Sequence, residues 1–258
     1  MSETGVSIII PVFNKIEITT NCIDHVREFN KKCVYEIIVV DNGSTDKTEE
    51  VLSNDRDIIY IRNKENLGIS KAYNQTAGKA QYDILCFMHN DVFIQERNWI
   101  SKIADFFVRH KEAGIVGLYG AKKIRRDGSF MGRGIVHAKS DGKSVMGGYE
   151  EVAVVDGLFM ALSRYVYEKA GGFDAGYNIH YYDKDISLRT FQSGFKNYVI
   201  DIPFTHKGAG TRSAIGAGTD DVIREEMKAL FLERWGRHLP ADSRSIMQIL
   251  RDLLKKHV

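Results

Sequence analysis

Proline is scarce in this chain. Three prolines in 258 residues leave no room for a Pro-rich hinge, and no low-complexity linker or internal repeat divides the sequence. Cysteine is equally rare. Cys22, Cys33 and Cys86 are an odd set without C-x-x-C spacing, which excludes a disulfide frame or a zinc knot and reads as reduced, mostly buried thiols of a cytoplasmic protein. No apolar run reaches the ~18 residues that a membrane-spanning helix needs. Met1–Gly5 has no basic stretch ahead of its apolar segment, so a secretory leader is not expected. An excess of one charge is missing too: 36 Lys+Arg against 34 Asp+Glu give a net charge of +2, which argues against nucleic acid as a partner. What is abundant is ordinary. A hydrophobic share of 43% beside 27% charged residues fits a globular protein with a full core, either one α/β body or two fused halves sharing a sheet.

The apolar runs set the architecture. Residues 6–13 (VSIIIPVF), 36–40 (EIIVV), 58–61 and 84–88 (ILCFM) are too short for helices and suit strands of a parallel sheet buried on both faces. Helical spacing fills the gaps at 16–29, 44–52, 70–80 and 99–110. This alternation predicts a βαβ sheet with right-handed crossovers. Beyond residue 111 a strand is expected at 115–119, followed by a Gly-, Lys- and Arg-rich stretch at 121–148 that reads as a hairpin or an irregular insertion on the surface. That insertion is either a solvated loop or a contact to an anionic substrate. An apolar run at 154–162, helices at 163–170 and 183–193, a strand at 198–202, a flexible Gly-rich stretch at 208–218 and amphipathic helices at 222–235 and 245–256 complete the pattern.

In an open parallel sheet, ligands bind beyond the carboxyl ends of the strands. Those ends carry Asn14, then Asp41 to Ser44, Asn66 to Gly68, and His89-Asn90-Asp91. Neither G-x-G-x-x-G nor G-x-x-x-x-G-K-[ST] is present, so backbone amides are not gathered to cradle phosphate and a metal ion is the usual substitute. Asp91 is the candidate anchor, because hard divalent cations take carboxylate oxygen and imidazole favours Mn²⁺ over Mg²⁺; the alternative is an aspartate capping the next turn. Asp183 falls at a predicted helix start, where the dipole favours negative charge, and could accept a proton from a hydroxyl or act as an N-cap. Asp185 and Arg189, at i and i+4, read as a structural pair.

Taken in order, SIIIPVFN, EIIVVDNGSTDKT, ENLGISKAYN, FMHND, GGFD and YYDKDISLR resemble the family 2 inverting glycosyltransferases of GT-A fold, over about residues 5–210. The resemblance implies a mostly parallel, Rossmann-like central sheet flanked by helices with a C-terminal helical extension. It further implies a nucleotide-sugar-binding half (1–110), an acceptor-binding and catalytic half of the same sheet (111–220), and C-terminal helices (221–258). Donor contacts then fall to Pro11, Val12, Phe13, Asn14, Asp41, Asn66, Gly68, Lys71, Asn90 and Gly157. Asp91 matches the last member of the family's D-x-D metal motif, with His89 in place of its first aspartate. His206 matches a further metal ligand, and Asp183 the catalytic base of an E-D-x-D-L segment whose usual Glu is Tyr182 here. The implied cofactor is Mn²⁺ or Mg²⁺. The implied substrates are a UDP- or dTDP-sugar and the hydroxyl of a glycan, lipid-linked or protein acceptor, as in surface-glycan synthesis. Residues 208–218 match a lid over the donor.

Two other readings compete. A nucleotidyltransferase would carry its G-x-G-T-R loop after the first strand, whereas GAGTR begins here at Gly208. An inactive, donor-binding scaffold would account for His89 and Tyr182. The basic C-terminal helices suit contact with the inner face of a membrane, packing on the core, or pairing of two subunits.

Overall fold

Strand β1 (Val6–Val12) is buried along its whole length, and its side chains feed two different cores. Ile8 and Ile10 join Cys22, Ile23 and Val26 of helix α1 (Ile16–Phe29) and Trp99 and Ile103 of α4 (Trp99–Arg109) on one side. Ile9 faces the other side with Tyr73 of α3 (Ile69–Ala77) and Ile186 of α6 (Tyr182–Gln192). A strand with both faces covered needs apolar residues at every position, which is why the run is continuous. The structure, a computed structural model, describes residues 4–140, 142–208 and 217–244.

The central sheet has eight strands. Besides β1 it contains β2 (Tyr35–Asp41), β3 (Ile59–Arg62), β4 (Ile84–Met88), β6 (Ala113–Gly117), β11 (Tyr149–Val152), β13 (Phe159–Ser163) and β14 (Lys196–Ile200), in the order β11-β14-β6-β13-β4-β1-β2-β3. The β3-β2-β1-β4 half is wholly parallel, with α1 and α3 among its connections, α2 (Thr48–Leu52) between β2 and β3, and α4 leading on to β6. Strand β13 runs antiparallel to both β4 and β6, so the sheet is mixed. Helix α5 (Arg164–Lys169) follows β13; Ser163 caps it through an Oγ that accepts from the Val166 N–H at 3.2 Å.

A second sheet corrects the expected surface insertion at 121–148. Strands β12 (Val154–Val155), β7 (Tyr119–Ala121), β9 (Ile135–Lys139), β15 (Phe204–His206) and β5 (Val92–Ile94) follow one another, with β10 (Gly142–Lys143) attached to β9; β8 (Lys123–Ile124) pairs separately with β16 (Ala241–Asp242). Ala121, Ile124, Val136 and Ala138 are buried, and Lys122 and Lys123 are ion-paired with Glu150 and Asp242, which accounts for part of the basic excess. The expected strand at 115–119 divides into β6 and β7 at Leu118, and the apolar run at 154–162 is broken at Asp156-Gly157-Leu158. Helix α7 (Ala217–Trp235) starts earlier than its periodicity suggests. The expected helix at 245–256 and most of the expected lid lie outside the described residues.

Candidate active site

The ends of β1 and β2 and the start of α3 open onto a cleft of about 230 Å³. Pro11, Val12, Phe13, Asn66 and Gly68 line it, together with Asn42, Asn178, Ile179 and Ile223 of α7. Gly68 sits at φ 80°, and a Cβ there would press within 3.1–3.2 Å of the Asn178 backbone, so only glycine lets these loops meet. The Ile69 N–H closes the same junction by donating to the Asn178 carbonyl at 2.6 Å.

The other expected donor residues are placed differently. Asn14 fastens the two strand-end loops together: its Oδ1 accepts from the Thr45 N–H at 2.8 Å, and its own N–H donates to Ser44 Oγ at 2.7 Å. Asp41 is fully buried below the cleft, accepting from the Ser44 N–H (2.8 Å), Tyr60 OH (2.5 Å) and Arg62 Nη1 (2.6 Å). That charge-assisted network fixes the floor on which the loops rest. Asn90 is buried and donates to Thr19 Oγ1 at 2.9 Å. Lys71 is exposed on α3.

His89, Asp91 and His206 converge. One ligand atom from each lies within 4.8 Å of the others. The reason is strand pairing: β15 runs antiparallel to β5 with His206 opposite Val92, so a residue 115 positions later returns beside Asp91. His206 is the last residue of β15, a strand that the sequence reading does not anticipate. His206 Nε2 is 3.2 Å from Asp91 Oδ1, and this contact raises the imidazole pKa above its ordinary value against the opposing effect of burial. Two imidazole nitrogens and a carboxylate could hold a divalent transition-metal ion, and imidazole suits Mn²⁺ better than Mg²⁺.

Facing this cluster is the start of α6. Tyr181, in left-handed backbone conformation at φ 65°, holds the cap position, so Asp183 sits inside the first turn and is not the N-cap. Asp183 Oδ2 accepts from the Gly157 N–H at 3.0 Å, and Oδ1 from the Lys184 N–H at 2.9 Å. Lys184 Nζ donates to the Gly128 carbonyl at 2.7 Å, and burial lowers its pKa. Tyr182 points the other way. Its hydroxyl donates to the Gly157 carbonyl (3.3 Å) and lies 3.0 Å from His89 Nε2. The same hydroxyl ties the His89 ring to the 156–158 turn and fixes the ring's orientation. Gly157 thus joins Asp183 through its N–H to Tyr182 through its carbonyl, and Tyr182 in turn reaches His89. A Cβ at this position would lie 2.1 Å from the Tyr182 hydroxyl.

Asp156, beside Gly157, is the acid that motif reading misses. Burial and then repulsion from Asp183 push its carboxyl up to about 6. A charged residue interrupting the apolar run at 154–162 is the signal that could have found it. Asp185 is fixed by Arg189, as the i, i+4 spacing predicts, and also by Trp235.

The mixed α/β body, with a cleft at its strand ends and the His89, Asp91 and His206 cluster beside Asp183, has the GT-A type glycosyltransferase fold. The family model for glycosyl transferase family 2 matches residues 7–171, and the chain belongs to that family. YfnE of Bacillus subtilis (strain 168), an uncharacterized glycosyltransferase, is 31% identical over 116 residues, or 44% of this chain and 29% of its own. The poly-beta-1,6-N-acetyl-D-glucosamine synthase of Staphylococcus aureus (strain COL) is 25% identical over 134 residues, or 50% and 31%. The chain therefore spans less than a third of these relatives. Among solved structures, GalNAc-T7 with UDP, GalNAc and Mn²⁺ aligns with a TM-score of 0.66 at 15% identity, covering 80% of this chain and 44% of that one. The mannosyltransferase PcManGT of Pyrobaculum calidifontis, in complex with GDP-Man and Mn²⁺, aligns with a TM-score of 0.57 at 16% identity, covering 76% and 55%. No helix among the described residues is long and apolar enough to cross a membrane.

Proposed function

We propose that this chain transfers a sugar, with inversion, from a UDP- or dTDP-linked donor to an acceptor hydroxyl in the synthesis of a surface glycan or glycoconjugate. The nucleotide occupies the cleft of Pro11, Phe13 and Gly68, within the 1–110 half, and the acceptor enters over the 111–220 half. A divalent cation held by His89, Asp91 and His206, Mn²⁺ in preference to Mg²⁺, supplies positive charge beside the departing diphosphate. Asp183 takes the proton of the acceptor hydroxyl as its oxygen attacks the anomeric carbon from the opposite face. The Gly157 and Lys184 N–H groups orient that carboxylate, one on each oxygen. The reading places the enzyme in the cytoplasm, at the membrane's inner face if the acceptor is lipid-linked.

The observation that carries this reading is the joint at Gly157, which links the general-base candidate Asp183, through the Gly157 peptide and Tyr182, to His89 of the proposed cation site. The test is nucleoside diphosphate release from UDP-glucose, UDP-N-acetylglucosamine, dTDP-rhamnose and GDP-mannose, with Mn²⁺ or with chelator. Release that depends on Mn²⁺ is expected. Asp183→Asn should keep donor binding and lose transfer by roughly 10²–10⁴-fold. Undiminished turnover in that variant removes Asp183 from its role, and pyrophosphate release would point to nucleotidyl transfer instead.

A further inference from the structure

The turn Asp156-Gly157-Leu158 is clasped from both ends of the site. The Asp156 N–H donates to the Tyr119 carbonyl at 2.8 Å, and the Leu158 carbonyl accepts from the His89 N–H at 3.0 Å. Between these anchors Gly157 gives its N–H to Asp183 and its carbonyl to Tyr182. The Asp156 side chain is spent on little of this. Its Oδ1 accepts from the Leu158 N–H at 3.0 Å, and no side chain among the described residues bonds the carboxylate. It is half-buried and lies within electrostatic reach of Asp183, His206 and Lys184, that is, of both the base and the cation triad. A half-buried carboxylate with spare acceptor capacity at neutral pH is costly to keep, and such groups concentrate where ligands bind.

We propose that Asp156 is a specificity-determining residue that accepts hydrogen bonds from hydroxyl groups of the sugar carried on the donor. This rests on the proposed function: the anomeric carbon must lie between the diphosphate at the triad and the hydroxyl at Asp183, and the 156–158 turn is the strap that spans that interval. A carboxylate offers two oxygens with about four lone-pair sites, enough for adjacent ring hydroxyls while Leu158 keeps one. Bonds to an ionised acceptor are about twice as strong as neutral ones, so a sugar lacking those hydroxyls is discriminated against.

The test compares each sugar nucleotide with its own bare diphosphate. Calorimetric titrations with Mn²⁺ use UDP, UDP-glucose, UDP-N-acetylglucosamine, GDP and GDP-mannose, on the unaltered chain and on Asp156→Asn, with Asp156→Ala as a second variant and thermal melting to verify folding. The expected result is that at least one sugar nucleotide binds the unaltered chain more tightly than its diphosphate. Asp156→Asn then loses about tenfold for the sugar nucleotide while its diphosphate affinity stays within twofold. Equal losses for both ligands, an unchanged difference, or no sugar advantage in the unaltered chain would each overturn the role of Asp156. If the unaltered chain binds neither diphosphate nor sugar nucleotide, the proposed function fails first.

Discussion

Two side chains set the chemistry of this site at the residue scale. The Tyr182 hydroxyl bridges the Gly157 carbonyl and His89 Nε2 and so holds the imidazole in place. Removing only that oxygen, in Tyr182→Phe, should lower Mn²⁺ affinity by about 10–100-fold, the usual effect of losing a group that orients a ligand, with the melting temperature nearly unchanged. Titrating Mn²⁺ by electron paramagnetic resonance measures this directly. Asp156 makes a different prediction. Its carboxyl titrates near 6 when folded, against an ordinary value of 3.8. The folded chain therefore holds that proton more tightly than the unfolded one, and stability is lost as pH rises from about 4 through 6. Without metal, Asp156→Asn should melt a few degrees higher than the unaltered chain at pH 7.5 and gain nothing at pH 4. A gain that is equal at both pH values would refute the assignment. Asp91 stands out in the sequence by its place after a buried strand, and His89 and His206 through the family resemblance. The part played by Tyr182 does not, because it depends on where one hydroxyl lands.

At the scale of elements, α6 carries Asp183 and α7 holds α6 in place. The Trp235 indole N–H donates to Asp185 Oδ1 at 2.9 Å, while Arg189 grips Oδ2 through Nε at 2.8 Å and Nη2 at 2.6 Å. Asp185 is buried, so Trp235→Phe strands one oxygen without a donor and should cost about 1–3 kcal/mol. Asp183 lies two residues away, so transfer should slow as well, while Mn²⁺ affinity stays the same. Helix α1 is readable to its end residues, because Ile16, Thr19, Ile23 and Val26 repeat at helical spacing and all are buried. Strands β7 to β10 are not. They run two to five residues each, too short for a period to emerge, and glycines and lysines intervene. Strand β15 has three residues, and only its partner β5 makes it a strand.

At the scale of the molecule, the two cores on either side of the central sheet need no ion, because they are closed by apolar side chains. Mn²⁺ binding should therefore add to stability without being required for folding. At a hundredfold excess over the dissociation constant it adds about 2.7 kcal/mol, and Asp91→Ala should abolish the resulting rise in melting temperature. Unfolding by chelator alone would contradict this. The parallel half of the sheet is legible because burial on both faces forces continuous apolar runs. The antiparallel insertion of β13 is not, since Phe159–Ser163 would suit either direction equally well.

The pairing of β15 with β5 has a consequence for the protein as it is made. Of the three side chains that could hold a cation, His206 leaves the ribosome more than a hundred positions after His89 and Asp91. The trio is complete only once β15 has paired with β5, after synthesis has passed residue 206.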